Sequence, residues 1–298
     1  MTSPDDSARS PAIELDPRYI EARRVLLDAL IALAPHEAAI VVAGAQAIYL
    51  RVGAGEVAVA PYTTDADLVV DPSTLGPVPL LESVMRNAGF HLAIASNGHI
   101  APGMWVLECE IDGTPMLIPV DLIVPDGNAP KGGRRGARLG PHGNRAARRS
   151  RGLEAALVDK SPMVVPSLDR TDHRSVTVDV AGEAALLVAK LHKLHDRITT
   201  DKPGRLDDKD AADVVRLMQV TSPAATGSSF ANLLAHPVAG APTSEALTYL
   251  YELFSRRGAS GIRMAARALR TGLPSTQIEA ICVAYTSVLR ELDLTDGS

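Results

Sequence analysis

At 298 residues the chain is long enough for two domains, and its 46% hydrophobic and 22% charged residues are ordinary for a globular protein. No segment approaches the roughly 18 consecutive apolar residues of a membrane span, and residues 1–11 contain acids but no apolar stretch, which argues against a secretory signal. We therefore expect a cytoplasmic protein without membrane partners.

Residues 13–181 are predicted to form an α+β domain, because helical and strand patterns are mixed along them. Residues 1–12, which precede it, are expected to be a short disordered leader. The dipeptide Asp112-Gly113 between two apolar runs is a hairpin signal. The predicted helices are 17–34, 46–51 and 78–88, the predicted turn is 53–61, and the predicted strands are 40–42, 67–70, 90–95, 105–111, 116–124 and 175–180.

Residues 182–298 are predicted to form a second, helical domain. Apolar residues recur there at helical spacing, and the alternating pattern that is typical of strands is absent from the sequence. The fold expected for the whole chain is therefore an α+β domain followed by a C-terminal helical domain. The predicted helices are 183–198, 209–219, 244–256, 261–270 and 277–294.

Three aspartates stand beside or within the apolar strands. Asp65 and Asp67 flank one alanine, and because strand side chains alternate between faces, both carboxylates project to the same side. Asp121 lies in an apolar run, where a carboxylate is costly unless it is paired or binds a cation. Alone, Asp121 is better explained as a solvated or helix-capping side chain at a strand end. Together the three acids predict ligands for a pair of Mg²⁺ ions, as in sites for displacement at phosphorus.

Short motifs surround these acids in a fixed order. Gly44 and Ala45 open a predicted helix, residues 64–68 read TDADL, and residues 120–122 read VDL. In this order the motifs resemble the nucleotidyltransferase superfamily of the DNA polymerase β type. The resemblance implies a mixed sheet flanked by helices, which is the nucleotidyltransferase fold. In two respects the chain departs from the family: Ala45 stands where serine is usual, and the gap before Asp65 is longer, with residues 53–61 as the expected insertion.

The resemblance also implies roles for particular residues. Gly44, Ala45 and Thr64 would lie beside the triphosphate, and a helix N-terminus suits a phosphate because it offers free N–H groups and a positive dipole end. Asp65, Asp67 and Asp121 would hold Mg²⁺. Neither departure from the family removes one of these ligands.

A second set of motifs lies in the helical half. Residues 190–197 read KLHKLHDR, and residues 207–213 read DDKDAAD. This pattern resembles the abortive-infection nucleotidyltransferases, the toxin component of type IV toxin–antitoxin pairs. The resemblance implies that Lys190 contacts nucleotide phosphates and that Asp210 is a catalytic or lysine-orienting acid. Lys193, which shares a helix face with Lys190, is a further predicted nucleotide-binding residue. It further implies tRNA or another RNA as the acceptor and a cognate antitoxin protein as a partner.

Positive charge is concentrated in residues 131–151, which we call the basic segment. The segment contains eight Lys or Arg and no acid, although the whole chain carries a formal charge of −5. It is a candidate contact for a polyanion, and because it contains no aromatic residue, phosphate contact is favoured over base stacking. The alternative is a solvated or disordered loop. The predicted RNA-binding residues are Arg134, Arg135, Arg138, Arg145, Arg148, Arg149 and Arg151.

The expected activity is transfer of a nucleoside monophosphate from an NTP to an acceptor, with Mg²⁺ as cofactor and pyrophosphate as product. An RNA acceptor is favoured by the basic segment. Two alternatives stay open. One is a small-molecule acceptor of the aminoglycoside type, and the other is a nucleotide- or RNA-binding protein that has the same fold and has lost catalysis.

Overall fold

The structure is a computed structural model that describes residues 15–53, 63–131, 135–200 and 208–292. These residues form an α+β architecture in which a mixed open sheet is flanked by helices, as the sequence predicts. The predicted leader and residues 54–61 of the predicted turn lie outside the described residues. Within those ranges, no helix is both long enough and apolar enough to cross a lipid bilayer.

The described residues contain eight β-strands and nine α-helices. The strands are β1 (Ile40–Ala43), β2 (Ala66–Val70), β3 (His91–Ile94), β4 (Ile100–Ile111), β5 (Thr114–Pro125), β6 (Arg148–Ser150), β7 (Lys160–Pro166) and β8 (Ser175–Ala181). The helices are α1 (Pro17–Ala32), α2 (Gly44–Val52), α3 (Leu81–Asn87), α4 (Glu183–Thr199), α5 (Lys209–Val220), α6 (Pro223–Leu234), α7 (Gly240–Phe254), α8 (Ser260–Ala268) and α9 (Ser275–Glu291).

The sheet has the strand order β3-β4-β5-β2-β1-β8-β7, and β6 pairs with β5. The pairs β2–β5, β1–β8 and β5–β6 are parallel, whereas β1–β2, β3–β4, β4–β5 and β7–β8 are antiparallel. Strand β1, with the sequence IVVA, is buried along its whole length. An uninterrupted apolar strand of this kind is expected at the centre of a sheet that is covered on both faces.

The longest hairpin joins β4 to β5 through the predicted Asp112-Gly113 turn. Asp112 has a φ of 50° and Gly113 a φ of 74°. Two consecutive positive φ values match the twist of the flanking strands, and Asp-Gly is a favoured sequence for such a turn. The turn prediction is therefore confirmed. From it the ladder runs from the pair Ile111 and Thr114 to the pair Met104 and Asp121.

Strands β6 and β7 and helix α6 are not predicted by the sequence patterns. Strand β7 contains two prolines, and it tolerates them because it lies at the sheet edge and pairs only with β8. Helix α6 has the sequence PAATGSSFANLL, which is poor in strong helix formers. Its buried Phe230 and Leu233 show that packing stabilises it.

The helical half packs on the α+β half through α4 and α5, both of which contact α2. A single hydrophobic cluster extends from Tyr19 in α1 to Leu289 in α9. The predicted division after residue 181 coincides with the step from β8 to α4. Helix α2 therefore stands between the sheet and the helical half, and the candidate site lies at its first residue.

Candidate functional site

Asp67 and Asp121 are direct neighbours on adjacent strands. The parallel pairing of β2 with β5 places Asp67 opposite Asp121, and the pairing of β1 with β2 places Ala43 opposite Asp67. Residues at one register position present their side chains to the same face of a sheet. The two carboxylates therefore lie side by side, next to the residue that precedes α2.

The position of Gly44 requires a glycine, because a side chain there would meet the Asp67 carboxylate and the backbone φ is positive. Its φ is +65°, and a Cβ atom built on it would lie 2.1 Å from Asp67 Oδ2. The Asp67 carboxylate thus rests against the first residue of α2, which begins two residues earlier than predicted. The residue at the helix N-cap is Ala43, and no side-chain hydrogen bond caps this end. The N-cap side chain therefore supplies no acceptor for the N-terminal amides of α2.

Gly44→Ala is expected to destabilise the fold more than Gly53→Ala. Both glycines have positive φ values at the two ends of α2, so each substitution costs about 1–3 kcal/mol of backbone strain. Only at Gly44 does the added Cβ also meet the Asp67 carboxylate, whereas no atom of the described residues lies within 4 Å of a Cβ on Gly53. The free energies of unfolding of both variants, measured in urea, check this. Equal losses would contradict the close contact between Gly44 and Asp67.

Asp65 lies one residue before β2, and its carboxylate accepts a hydrogen bond from the Thr63 hydroxyl. Burial raises the pKa of Asp65, but this hydrogen bond and the charges of Lys209, Lys193 and Lys190 outweigh burial, so the pKa lies below its usual value. The lysines of the helical half therefore stabilise the charged form of Asp65. Thr64, which lies between Thr63 and Asp65 in the chain, is half-buried.

Asp121 is paired with Arg148 of the basic segment. Arg148 donates from Nε at 3.1 Å and from Nη2 at 2.8 Å, and both bonds end on Asp121 Oδ2. The other oxygen, Oδ1, is buried and has no hydrogen-bond partner among the described residues. Burial raises the pKa of Asp121, Arg148 opposes the rise, and the charges of Asp67 and Asp65 add to it. The three carboxylates are therefore close enough to repel one another.

Lys190 is buried in a cluster of charged side chains between α4 and α5. Its Nζ donates to Asp210 Oδ1 at 2.9 Å and to Asp213 Oδ2 at 2.7 Å. Arg197 forms an ion pair with Asp210 at 2.6 Å, and Arg216 forms one with Asp213 at 2.6 Å. Asp213 and Arg216 are not among the predicted site residues, although their three-residue spacing on a helix indicates that they can form an ion pair.

The charges in this cluster stabilise one another. Burial would lower the pKa of Lys190, but Asp213 and Asp210 raise it above its ordinary value. Burial would raise the pKa of Asp210, but Lys190, Lys193 and Arg197 lower it. Asp210 is thus suited to orienting the lysine, which is one of the two roles that the resemblance implies. Lys193 differs from Lys190 because 43% of its side chain is exposed and its Nζ lies 3.6 Å from Asp210.

A cleft of about 190 Å³ lies between Asp67 of the sheet and the cations of α4. Its apolar lining, formed by Ile123, Leu153 and Ala189, was not predicted from the sequence. Asp65, Asp121 and Asp210 lie next to residues of the lining and are not part of it. The charged or glycine residues that line the cleft are Gly44, Asp67, Arg148, Arg151, Lys190, Lys193, Asp196 and Arg197.

The described part of the basic segment is ordered and packed on the sheet. Ala137, Ala146 and Ala147 are fully buried, and Trp105 donates from Nε1 to the Ala146 carbonyl at 2.9 Å. Gly103 N–H donates to the Arg145 carbonyl at 2.8 Å. These contacts are inconsistent with a freely solvated loop over residues 135–151.

Acids from other elements pair with four of the segment's arginines. Arg135 and Arg138 are exposed and form no ion pair within the described part of the chain, and Arg134 lies outside it. The predicted RNA-binding residues therefore fall into different environments. The four ion pairs are Arg145 with Glu82, Arg148 with Asp121, Arg149 with Asp126, and Arg151 with Glu245.

The donor chemistry of the three acids fits Mg²⁺, which prefers carboxylate oxygens. The unpartnered Asp121 Oδ1 and the adjacent Asp67 carboxylate supply two of these oxygens. Among the described residues, no group of three or more His, Cys, Asp or Glu is arranged to hold a metal by itself. Asp65, Asp67 and Asp121 are thus not arranged as a complete three-carboxylate cluster, and Mg²⁺ at this place would also need oxygens from substrate phosphates or water.

Comparison with known proteins found neither a family model nor a curated protein that matches the chain.

Proposed function

We propose that the protein is a Mg²⁺-dependent nucleotidyltransferase that transfers a nucleoside monophosphate from an NTP to RNA. The proposal is carried by one observation, the pairing of Asp67 with Asp121 in register beside Gly44, at the N-terminus of α2. A metal site and an anion site thereby share one end of the sheet. The cations of α4 lie across the cleft from them.

In the proposed reaction an acceptor hydroxyl attacks the α-phosphorus of the NTP. The new phosphorus–oxygen bond replaces the bond to the bridging oxygen, the hydroxyl proton passes to solvent, and pyrophosphate leaves. Asp65, Asp67 and Asp121 would hold Mg²⁺, which when bound compensates the negative charge of the phosphates. The amides of Gly44 and Ala45 would bind the triphosphate. Catalysis of this kind consists mainly of positioning and charge compensation.

The two lysines of α4 receive different roles. Lys190 is held by two buried acids, so its main effect is to fix α4 against α5. Lys193 lines the same cleft with a side chain that is 43% exposed and is the better candidate for direct phosphate contact. This revises the expectation that Lys190 is the principal phosphate ligand.

A second candidate acceptor is a small molecule. The observation that favours it is the pairing of four arginines of the basic segment with acids, which reduces the charge offered to a polyanion. Exposed ion pairs contribute little free energy, so those of Arg145 and Arg151 can open for an RNA phosphate. An antitoxin partner follows from the resemblance alone and belongs to the RNA proposal.

Incubation of the purified protein with each labelled NTP, Mg²⁺ and total cellular RNA tests the proposed function. We expect label to enter RNA, and we expect chelation of Mg²⁺ to stop the reaction. Label that appears only in a small-molecule fraction from a cell extract would replace RNA by the second candidate. Binding of NTP without any transfer would contradict an enzyme and favour the inactive binding protein.

Arg135 and Arg138 are expected to govern the salt dependence of RNA binding, because both are exposed and form no ion pair within the described residues. Each neutralised phosphate contributes about 0.7 to the salt slope for a single strand, so changing both arginines to Gln should lower it by roughly 1.4. The control with the same change of charge combines Arg256→Gln and Arg270→Gln, both exposed in the helical half. Equal slopes for the two double variants would exclude Arg135 and Arg138 as RNA contacts.

A further inference from the structure

We infer that Arg148 is a positioning residue of the proposed metal site and not a contact for the RNA acceptor. The inference rests on the proposed function, because it assigns Arg148 to the ligand Asp121. Sequence patterns group Arg148 with the other arginines of the basic segment. The geometry separates it from them, since Arg148 lines the cleft that also contains Gly44 and Asp67 and, among the segment's described arginines, is the one that donates hydrogen bonds to Asp121.

The side-chain hydrogen bonds of Arg148 both end on one oxygen of the Asp121 carboxylate. Two donors, Nε and Nη2, reach the same oxygen, Asp121 Oδ2, and none reaches Oδ1. Within the part of the chain that the structure describes, Oδ1 therefore remains buried and unpartnered beside Asp67. A carboxylate that binds a metal through one oxygen is commonly held by a hydrogen-bond donor on the other, and this second contact sets its orientation. Arg148 makes this second contact and leaves Oδ1 for the cation.

The charge balance on the sheet side of the cleft supports the same assignment. Asp65, Asp67 and Asp121 are three carboxylates, and Arg148 is the cation that hydrogen-bonds to one of them. Their combined formal charge is that of two carboxylates, which a divalent ion would neutralise. An arginine that served only to neutralise Asp121 would gain by binding both of its oxygens, as bidentate pairs do.

The backbone around Arg148 places its side chain near Asp121. Strand β6 runs parallel to β5, with Arg148 opposite Ile123, two residues beyond Asp121. The segment crosses β4 at Gly103, where a Cβ atom would lie 2.3 Å from Arg148 N and 2.6 Å from the Leu122 carbonyl oxygen. Glycine at this position thus permits the close approach that brings Arg148 to Asp121.

Arg149 provides a matched control. It is the next residue of β6, it also forms a half-buried ion pair at 2.8 Å, and its partner is Asp126. Asp126 lies beyond the end of β5 and is not among the proposed ligands. Arg149→Gln therefore removes the same charge from the same strand without changing the contact to Asp121.

The experiment measures the affinity of the full chain for Mn²⁺ alone, by calorimetry, without nucleotide. We expect Arg148→Gln to weaken Mn²⁺ binding by roughly 10-fold or more, the usual effect of losing a partner of a ligand. Arg149→Gln should keep the affinity within about twofold of the parent chain, since the partners of Asp121 are retained. Unchanged or tighter binding by Arg148→Gln would overturn the inference.

Two further variants keep the result interpretable. Asp67→Asn reports on the metal site itself: if it also leaves Mn²⁺ binding unchanged, the proposed function fails, whereas loss in Asp67→Asn with no loss in Arg148→Gln overturns only the role of Arg148. If Arg148→Gln does not fold, Arg148→Lys keeps the charge but not the planar pair of donors. A severalfold loss in this variant supports the inference, and full affinity overturns it.

Discussion

Asp67→Asn is expected to reduce nucleotidyl transfer by roughly 100-fold or more, because metal assistance in phosphoryl transfer contributes several kcal/mol to the stabilisation of the transition state. The amide keeps the size of the carboxylate, so its contact with Gly44 and the register with Asp121 are retained. Transfer measured at saturating Mg²⁺ checks the expectation. Near-normal transfer by the variant would exclude Asp67 as a metal ligand.

The fold of the Asp67→Asn variant should be as stable as that of the parent or slightly more stable. Three carboxylates repel one another at this end of the sheet, and the substitution removes one of their charges. Thermal unfolding in the absence of metal measures this effect. Asp112→Asn is the control, because Asp112 occupies the β4–β5 turn, where asparagine accepts the positive φ equally well. That variant should keep full transfer.

Lys190→Ala is expected to lower the free energy of unfolding by about 3–5 kcal/mol, the usual cost of removing one partner from a buried ion pair. The change would leave Asp210 and Asp213 buried with one cation fewer. Lys193→Ala should cost less than about 1 kcal/mol, because the ammonium of Lys193 is exposed and farther from Asp210. Urea unfolding of both variants measures the difference.

The effect of Lys190→Ala on stability, compared with its effect on activity, separates a structural role of Lys190 from phosphate binding. If Lys190→Ala lowers activity only in proportion to the unfolded fraction, its role is to hold α4 against α5. A fall in NTP affinity of the folded protein would instead restore Lys190 as a phosphate ligand. Adding Asp213→Asn to Lys190→Ala should recover part of the lost stability, since it removes one of the uncompensated charges. A further loss in the double variant would contradict the uncompensated charge as the cause.

The sequence by itself determined the features that depend on neighbouring residues. The Asp112-Gly113 turn, the helical start at Gly44 and the helices of the C-terminal half follow from backbone preferences and periodicity within a few residues. A joint role for Lys190 and Asp210 was also predicted, from the resemblance that their motifs carry, and both residues lie on predicted helices. Local patterns were weaker for β7 and α6, where proline, serine and glycine obscure the signal.

Only the tertiary structure decided which distant residues meet. The placement of Asp67 beside Asp121 depends on the parallel pairing of β2 with β5, strands that are not consecutive in the chain. The partner of Arg148 likewise depends on how the basic segment crosses β4. An arginine in a basic run has the same local sequence whether it faces solvent or a buried carboxylate. Its environment is therefore set by strand order and packing, which residues far apart in sequence determine together.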